Sequence, residues 1–195
     1  MTRFLATFAL MILIVAPLAP APAGAHPQDD EEIREVYTGT LIGLGGALAG
    51  KTATFTLRLT GRATRDQALR YAELLRSKGQ DALRKQLDGR DVGTFSLTGR
   101  AGQTVNFAYE QETPEGRRVI AVWERWLQPF EIRYGSRSQD YPFSYLEMSV
   151  DKNGNGTGTL IGAAKLYFEK DDPATLNVEN FATYPLRVVN VRLER

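Results

Sequence analysis

The sequence has no cysteine and only one histidine, His26. Without cysteine there are no disulfides, no thiol nucleophile and no acylated thiol of the kind that tethers bacterial lipoproteins. With His26 alone in a polar end segment, and no G-x-S-x-G elbow, histidine-assisted serine or cysteine catalysis is excluded. An excess of one charge is also lacking, with 24 basic against 23 acidic side chains. That balance gives no support for nucleic-acid or anionic-membrane binding, so neither partner is expected. Past residue 25 no apolar run is long enough to cross a bilayer as a helix, and no membrane anchor is expected.

The one long apolar run lies at the start. Arg3 precedes Phe4 to Ala16, and Pro17 to Ala25 ends in Ala23-Gly24-Ala25. This is the layout of a signal peptide with a small-residue cleavage site, too short for an anchor. Cleavage after Ala25 is expected, with export to the periplasm or the medium. Loss of Arg3 with the leader leaves basic and acidic groups equal in number. His26 then becomes the new amino terminus, where its amine and ring could chelate copper. A copper brace needs a second histidine, so no cofactor is expected. Residues 26–33 read as a disordered acidic tether, and 34–195 as a single α+β domain.

Gly45 to Thr52 matches the phosphate-cradling pattern G-x-x-x-x-G-K-[ST], with Gly45, Gly50, Lys51 and Thr52 in the fixed positions. A working loop of this kind opens a helix. Here the residues after Thr52 alternate, Phe55, Leu57 and Leu59 against Thr54, Thr56 and Arg58, which predicts a strand. The glycines are therefore read as the tip of an antiparallel hairpin spanning Val36 to Thr60, and no nucleotide is expected as a partner.

The only strong helix signal begins at Thr64-Arg65-Asp66-Gln67, a capping box ahead of a narrow stripe of Ala68, Leu69, Ala72 and Leu75. A helix from Arg65 should end near Gly79 in a left-handed residue, with a second short helix from Gln80 to Leu87. From Val92 onward the pattern is β. Strands are expected at Val92 to Thr98, Thr104 to Glu110, Arg118 to Trp126, Leu127 to Tyr134, Phe143 to Val150, Thr157 to Phe168, Thr175 to Glu179 and Leu186 to Leu193. Val119 to Trp123 carries no polar interruption, which argues for a central strand covered on both faces. The expected fold is α+β: a twisted, barrel-like antiparallel sheet of about eight to ten strands, with the helical segment on one face or end.

Three groups of side chains are candidates for chemistry. Asp151, Asn153, Asn155 and Gly156 reproduce the first half of a calcium loop, but position twelve is Gly162 where a bidentate carboxylate is required, so the segment reads as a hairpin turn and no metal is expected. Arg137, Asp140 and Tyr141, with Glu147 on the following strand, form the densest mix of charge and aromatics and are the candidate ligand-binding residues. Their structural alternative is a loop pinned by Arg137 and Asp140, with Tyr141 in the core. Glu110, Glu112, Glu124, Glu131, Asp140 and Glu147 could supply a glycosidase-type carboxylate pair if two of them met across strands.

Across most of this region the chain resembles a group of exported bacterial proteins of no known activity. The resemblance rests on Gln80-Asp81-Ala82-Leu83, Arg137-Ser138-x-Asp140-Tyr141-Pro142-Phe143, Asp151 to Gly158, Ala163-Ala164-Lys165, Glu179-Asn180 and Asn190-Val191-Arg192. It implies a variable glycine-containing turn at Gly45 to Thr52 and carries no activity with it. The leading expectation is an exported, non-catalytic binding protein of the cell envelope, its ligand an unidentified small molecule or envelope component. The alternative is a carboxylate-dependent hydrolase of envelope or environmental glycans.

Overall fold

A computed structural model describes residues 31–125, 137–169, 171–172, 174–181 and 184–194, with the side chains of Ala47, Arg137 and Ser138 outside that set. The expected leader and the strand expected at Leu127 to Tyr134 lie outside the described residues.

Strict alternation produces the first hairpin. In β1 (Glu31–Gly43) and β2 (Thr52–Arg62), Tyr37, Leu41, Phe55, Leu57 and Leu59 all turn to one face and are buried. The strands pair antiparallel from Glu31 with Arg62 to Ile42 with Thr52. Between them, Gly46 and Gly50 take φ of +60° and +71°, and Gly43 donates to the Lys51 carbonyl at 2.9 Å. Thr52 thus opens a strand, and the segment with the phosphate-loop pattern is a hairpin tip. β1 also reaches three residues into the stretch expected to be a disordered tether. There Glu31 and Glu32 pair with Arg62 and Gly61, and the Arg62 guanidinium holds the Glu31 carboxylate with contacts of 2.8 and 2.9 Å.

Helix α1 (Arg65–Lys78) starts at the predicted capping box. Gln67 N donates to Thr64 Oγ1 at 3.3 Å, and Thr64 N to Gln67 Oε1 at 2.7 Å. Gly79, at φ +77° and ψ −179°, ends α1 and opens α2 (Gln80–Leu87). Its φ is positive as expected, but its ψ lies outside the left-handed helical region, in territory that glycine alone occupies freely.

The remaining strands are β3 (Gly93–Leu97), β4 (Gln103–Val105), β5 (Phe107–Thr113), β6 (Gly116–Glu124), β7 (Phe143–Asp151), β8 (Asn155–Phe168), β9 (Leu176–Asn180) and β10 (Leu186–Glu194). All pair antiparallel in one ten-stranded sheet of order β4-β3-β2-β1-β10-β8-β7-β6-β5, with β9 added beside β8. The sheet is not closed into a ring, yet its two ends are consecutive in the chain and separated only by Asn106. The predicted single strand over Thr104 to Glu110 is therefore two. Val105 faces the same core as Ala108, an odd spacing that one flat strand cannot give.

Two apolar layers result. The inner one gathers side chains from nine strands, among them Tyr37, Phe55, Phe95, Trp123, Leu146 and Val188, so the hollow of the curled sheet is filled. The outer one lies between the two helices and the convex side of β6, β7, β8 and β9, with Leu75, Leu83 and Leu87 over Ile120, Val122, Phe143 and Tyr145. Val119 to Trp123 are all buried, as a strand covered on both faces must be.

Candidate functional site

The outer layer is incompletely filled. Toward the sheet, α1 presents Ala68 and Ala72, whose side chains are too small to reach it, and of its apolar residues only Leu75 is fully buried. Below the helix remains a partly open cleft of about 530 Å³, floored by Phe107, Ile120, Val122 and Tyr145 and ended by Phe168 and Leu176. Close-packed interiors seldom keep voids larger than a water molecule, and a cleft of this volume is within the usual range of small-molecule sites, about 300–1,000 Å³. Leu69, at 39% exposure, forms part of its rim. Tyr71 stands edge-on to Phe107 with centroids 5.6 Å apart, and Arg76 lies 4.7 Å over the Phe168 ring.

Strand register gives this face a polarity gradient. One row across β5 to β8 is Phe107, Val122, Tyr145 and Ile161, all apolar or aromatic. Two residues along each strand the row is Tyr109, Ile120, Glu147 and Thr159, and two further it is Gln111, Arg118, Ser149 and Thr157. From first row to third the surface passes from hydrocarbon to hydroxyl and charge over about 13 Å. Tyr145 joins the two ends. Its ring floors the cleft, and its hydroxyl donates to Glu147 Oε2 at 2.6 Å, beside a second hollow of about 200 Å³ lined by Glu147, Ser149, Thr157 and Thr159. Burial, then the Glu147 charge and hydrogen bond, push the Tyr145 hydroxyl well above its ordinary pKa. Arg118 Nη2 reaches Glu147 Oε1 at 2.8 Å, so the head of this face carries one balanced ion pair.

No family model, curated protein or solved structure matches this chain.

Of the four residues singled out from sequence, the side chain of Arg137 lies outside the described set, and Asp140, Tyr141 and Glu147 have separate partners. Arg137 and Asp140 delimit a short 3-10 turn, and the exposed Asp140 accepts Gln80 Nε2 on its backbone carbonyl at 2.8 Å. Tyr141 is buried, with its hydroxyl on Glu179 Oε1 at 2.7 Å and its carbonyl on Arg125 Nε at 2.6 Å. Glu147 lies on β7 beyond four residues of strand from Phe143, about 13 Å farther on. Glu147 thus belongs to the gradient described above, whereas Tyr141 has a core position. At the hairpin between β7 and β8, Asp151 Oδ1 accepts the amides of Asn153 and Asn155 at 2.8 and 2.9 Å, a use that accounts for the turn-rich sequence.

Among the acidic candidates, Glu124 lies 3.8 Å from Arg84 of α2, Glu147 pairs with Arg118, and Glu131 is outside the described residues. Glu110 has a partner that sequence reading missed. Arg117 Nη1 lies 2.9 Å from both Glu110 Oε2 and Glu35 Oε1. The two carboxylates are at most about twice that distance apart, close to the 5–5.5 Å of retaining glycosidases. Each is an acceptor for the guanidinium between them, Tyr37 donates to Glu35 at 2.6 Å, and Arg62 reaches Glu110 at 3.0 Å. This is an ion network linking β1, β2, β5 and β6, in which each of the two carboxylates is bonded to a guanidinium.

Sequence reading also missed Arg118, Tyr145 and the floor of the cleft. Their signal is the narrow α1 stripe, where Ala68 and Ala72 under a helix that roofs a sheet leave room unfilled.

Proposed function

We propose that this chain is an exported, non-catalytic binding protein of the cell envelope that holds the apolar part of a small molecule between α1 and the convex face of its sheet. The observation that carries this reading is the cleft of about 530 Å³ between α1 and the sheet, lined chiefly by aliphatic and aromatic side chains. Its walls contain no histidine, serine, threonine or lysine, and their charged side chains are Arg65, Glu110 and Glu112. Export is supported by the leader-like layout of residues 1–25. The resemblance to exported bacterial proteins agrees with that destination and leaves the ligand open.

The test is titration of the purified protein with N-phenyl-naphthylamine, a neutral apolar dye that brightens when desolvated. Saturable binding at one site is expected, and Ala72→Phe, which fills the cleft from its roof, should abolish it while leaving the far-ultraviolet circular dichroism unchanged. Absence of saturable binding, or equal binding by Ala72→Phe, overturns the proposal. Of the carboxylates named for the glycan-hydrolase alternative, Glu110 and Glu112 line the cleft, and the bonds of Glu110 to Arg117 and Arg62 disfavour that reading.

A further inference from the structure

The cleft is not apolar throughout, and where it turns polar narrows the class of molecule that fits. Beneath α1 the floor is Phe107, Ile120, Val122 and Tyr145, and the charged side chains that line the cleft, Arg65, Glu110 and Glu112, come from the start of α1 and from β5. Past the Tyr145 hydroxyl the same face offers Ser149, Thr157 and Thr159, whose hydroxyls have no protein partner among the described residues. Beside them stands the Arg118–Glu147 pair, with Arg118 using one of its five N–H donors on Glu147.

We infer that the ligand is a single-chain amphiphile with a neutral, hydroxyl-rich head, its hydrocarbon chain in the cleft and its head over Arg118, Glu147, Ser149 and Thr157. This inference rests on the binding reading above. The head is neutral because an adjacent cation and anion only 2.8 Å apart carry no net charge to attract an ionic group. An anionic head would meet Glu147, and a cationic head would meet Arg118. A sugar or polyol hydroxyl can accept from Arg118 and from the serine and threonine hydroxyls while donating to Glu147, so both members of the pair contribute. The chain is single because the cleft of about 530 Å³ lies beneath one helix roof and is ended by Phe168 and Leu176. The protein's own hydroxyls line the head region, as a neutral polar ligand requires, and no lysine occurs among them.

The experiment compares octyl glucoside, octyl sulfate and octyltrimethylammonium, each below its micelle concentration, by calorimetry on the full purified protein, with free glucose as a chain-less control. Octyl glucoside should bind one to one and on the order of tenfold tighter than either charged analogue, and glucose alone should give no signal. Glu147→Gln removes the negative member and should shift selectivity toward octyl sulfate. Arg118→Gln should shift it toward octyltrimethylammonium. Ser149→Ala with Thr157→Ala, both exposed positions, should weaken octyl glucoside several-fold and leave N-phenyl-naphthylamine binding intact. Dye binding with no preference among heads, or with preference for a charged one, overturns this inference and leaves the cleft reading standing. Failure of both dye and amphiphiles to bind overturns both.

Discussion

At the scale of single residues, burial decides which polar groups matter. Arg117 sits between Glu35 and Glu110 with its side chain only 18% exposed, and its guanidinium lies over the Tyr37 ring. Arg117→Met would leave two half-buried carboxylates without their shared donor and should destabilise the fold by about 2–3 kcal/mol in denaturant unfolding. Arg117→Lys should recover part of that, since a point charge cannot present the same fork to two acceptors. Two tyrosines set the alkaline limit. Tyr37, chiefly through burial and then through its bond to Glu35, and Tyr145, through burial and then Glu147, ionise well above the ordinary value of 10.0. Folding therefore favours their neutral form, and the stability this contributes is complete below pH 10 and is lost as pH rises toward their folded-state values. Spectrophotometric titration should find Tyr37 and Tyr145 silent until the sheet unfolds, with Tyr37→Phe and Tyr145→Phe leaving the native-phase amplitude unchanged. Glu31 acts in the opposite sense. Arg62 holds it below 4.5, so its contribution is present above that pH and fades as pH falls through the folded value. The Glu35, Arg117 and Glu110 partnership was not legible in the sequence, because these residues meet only through strand pairing, whereas Tyr37 with Glu35 and Tyr145 with Glu147 are neighbours two apart on one strand.

At the scale of elements much more was legible, because local signals are short-ranged. The capping box at Thr64 and Gln67 fixed the start of α1, and Gly79 fixed its end. The threonine alternation after Lys51 correctly outweighed a phosphate-loop pattern, since a pleat and a helix make incompatible demands on the same side chains. Thr64→Ala should cost about 1 kcal/mol and speed amide exchange in the first turn of α1, whereas Thr64→Ser should preserve both. Because α1 roofs the cleft from a poorly filled face, a frayed first turn should also weaken dye binding. The proposed cleft itself was half legible. The stripe of Ala68, Leu69, Ala72 and Leu75 showed a helix with little to bury, but the sheet residues beneath it are set by register among β5, β6, β7 and β8, which spans more than fifty residues of sequence.

At the scale of the whole molecule, the curl of the sheet depends on one corner that no local pattern announces. Val105, Phe107 and Tyr109 look like one alternating strand, but the chain leaves the β3 edge at Val105 and joins β6 at Phe107, turning its faces over at Asn106. Asn106 is bonded to both sides of the join. Its Nδ2 donates to the Arg90 carbonyl at 2.9 Å, its Oδ1 accepts the Glu124 amide at 2.9 Å, and its own amide reaches the Val122 carbonyl at 3.1 Å. The two ends of the strand order thus meet at Asn106, and they are tied further by the Trp123 to Gln103 hydrogen bond at 2.7 Å and the stacked Phe95 and Trp123 rings. Asn106→Ala deletes both side-chain bonds and leaves a carbonyl and an amide wanting partners, a loss of about 2–3 kcal/mol. Asn106→Asp keeps the bond to Glu124 but opposes a carboxylate to the Arg90 carbonyl, and should lose a similar amount. Because the join couples the inner core to the helix-covered layer, these losses should appear as one cooperative transition shifted to lower denaturant, with an unchanged slope. If instead the β1 to β4 half unfolds separately from the β5 to β9 half in the wild type, Asn106 is only a local turn and the corner does not unite the sheet.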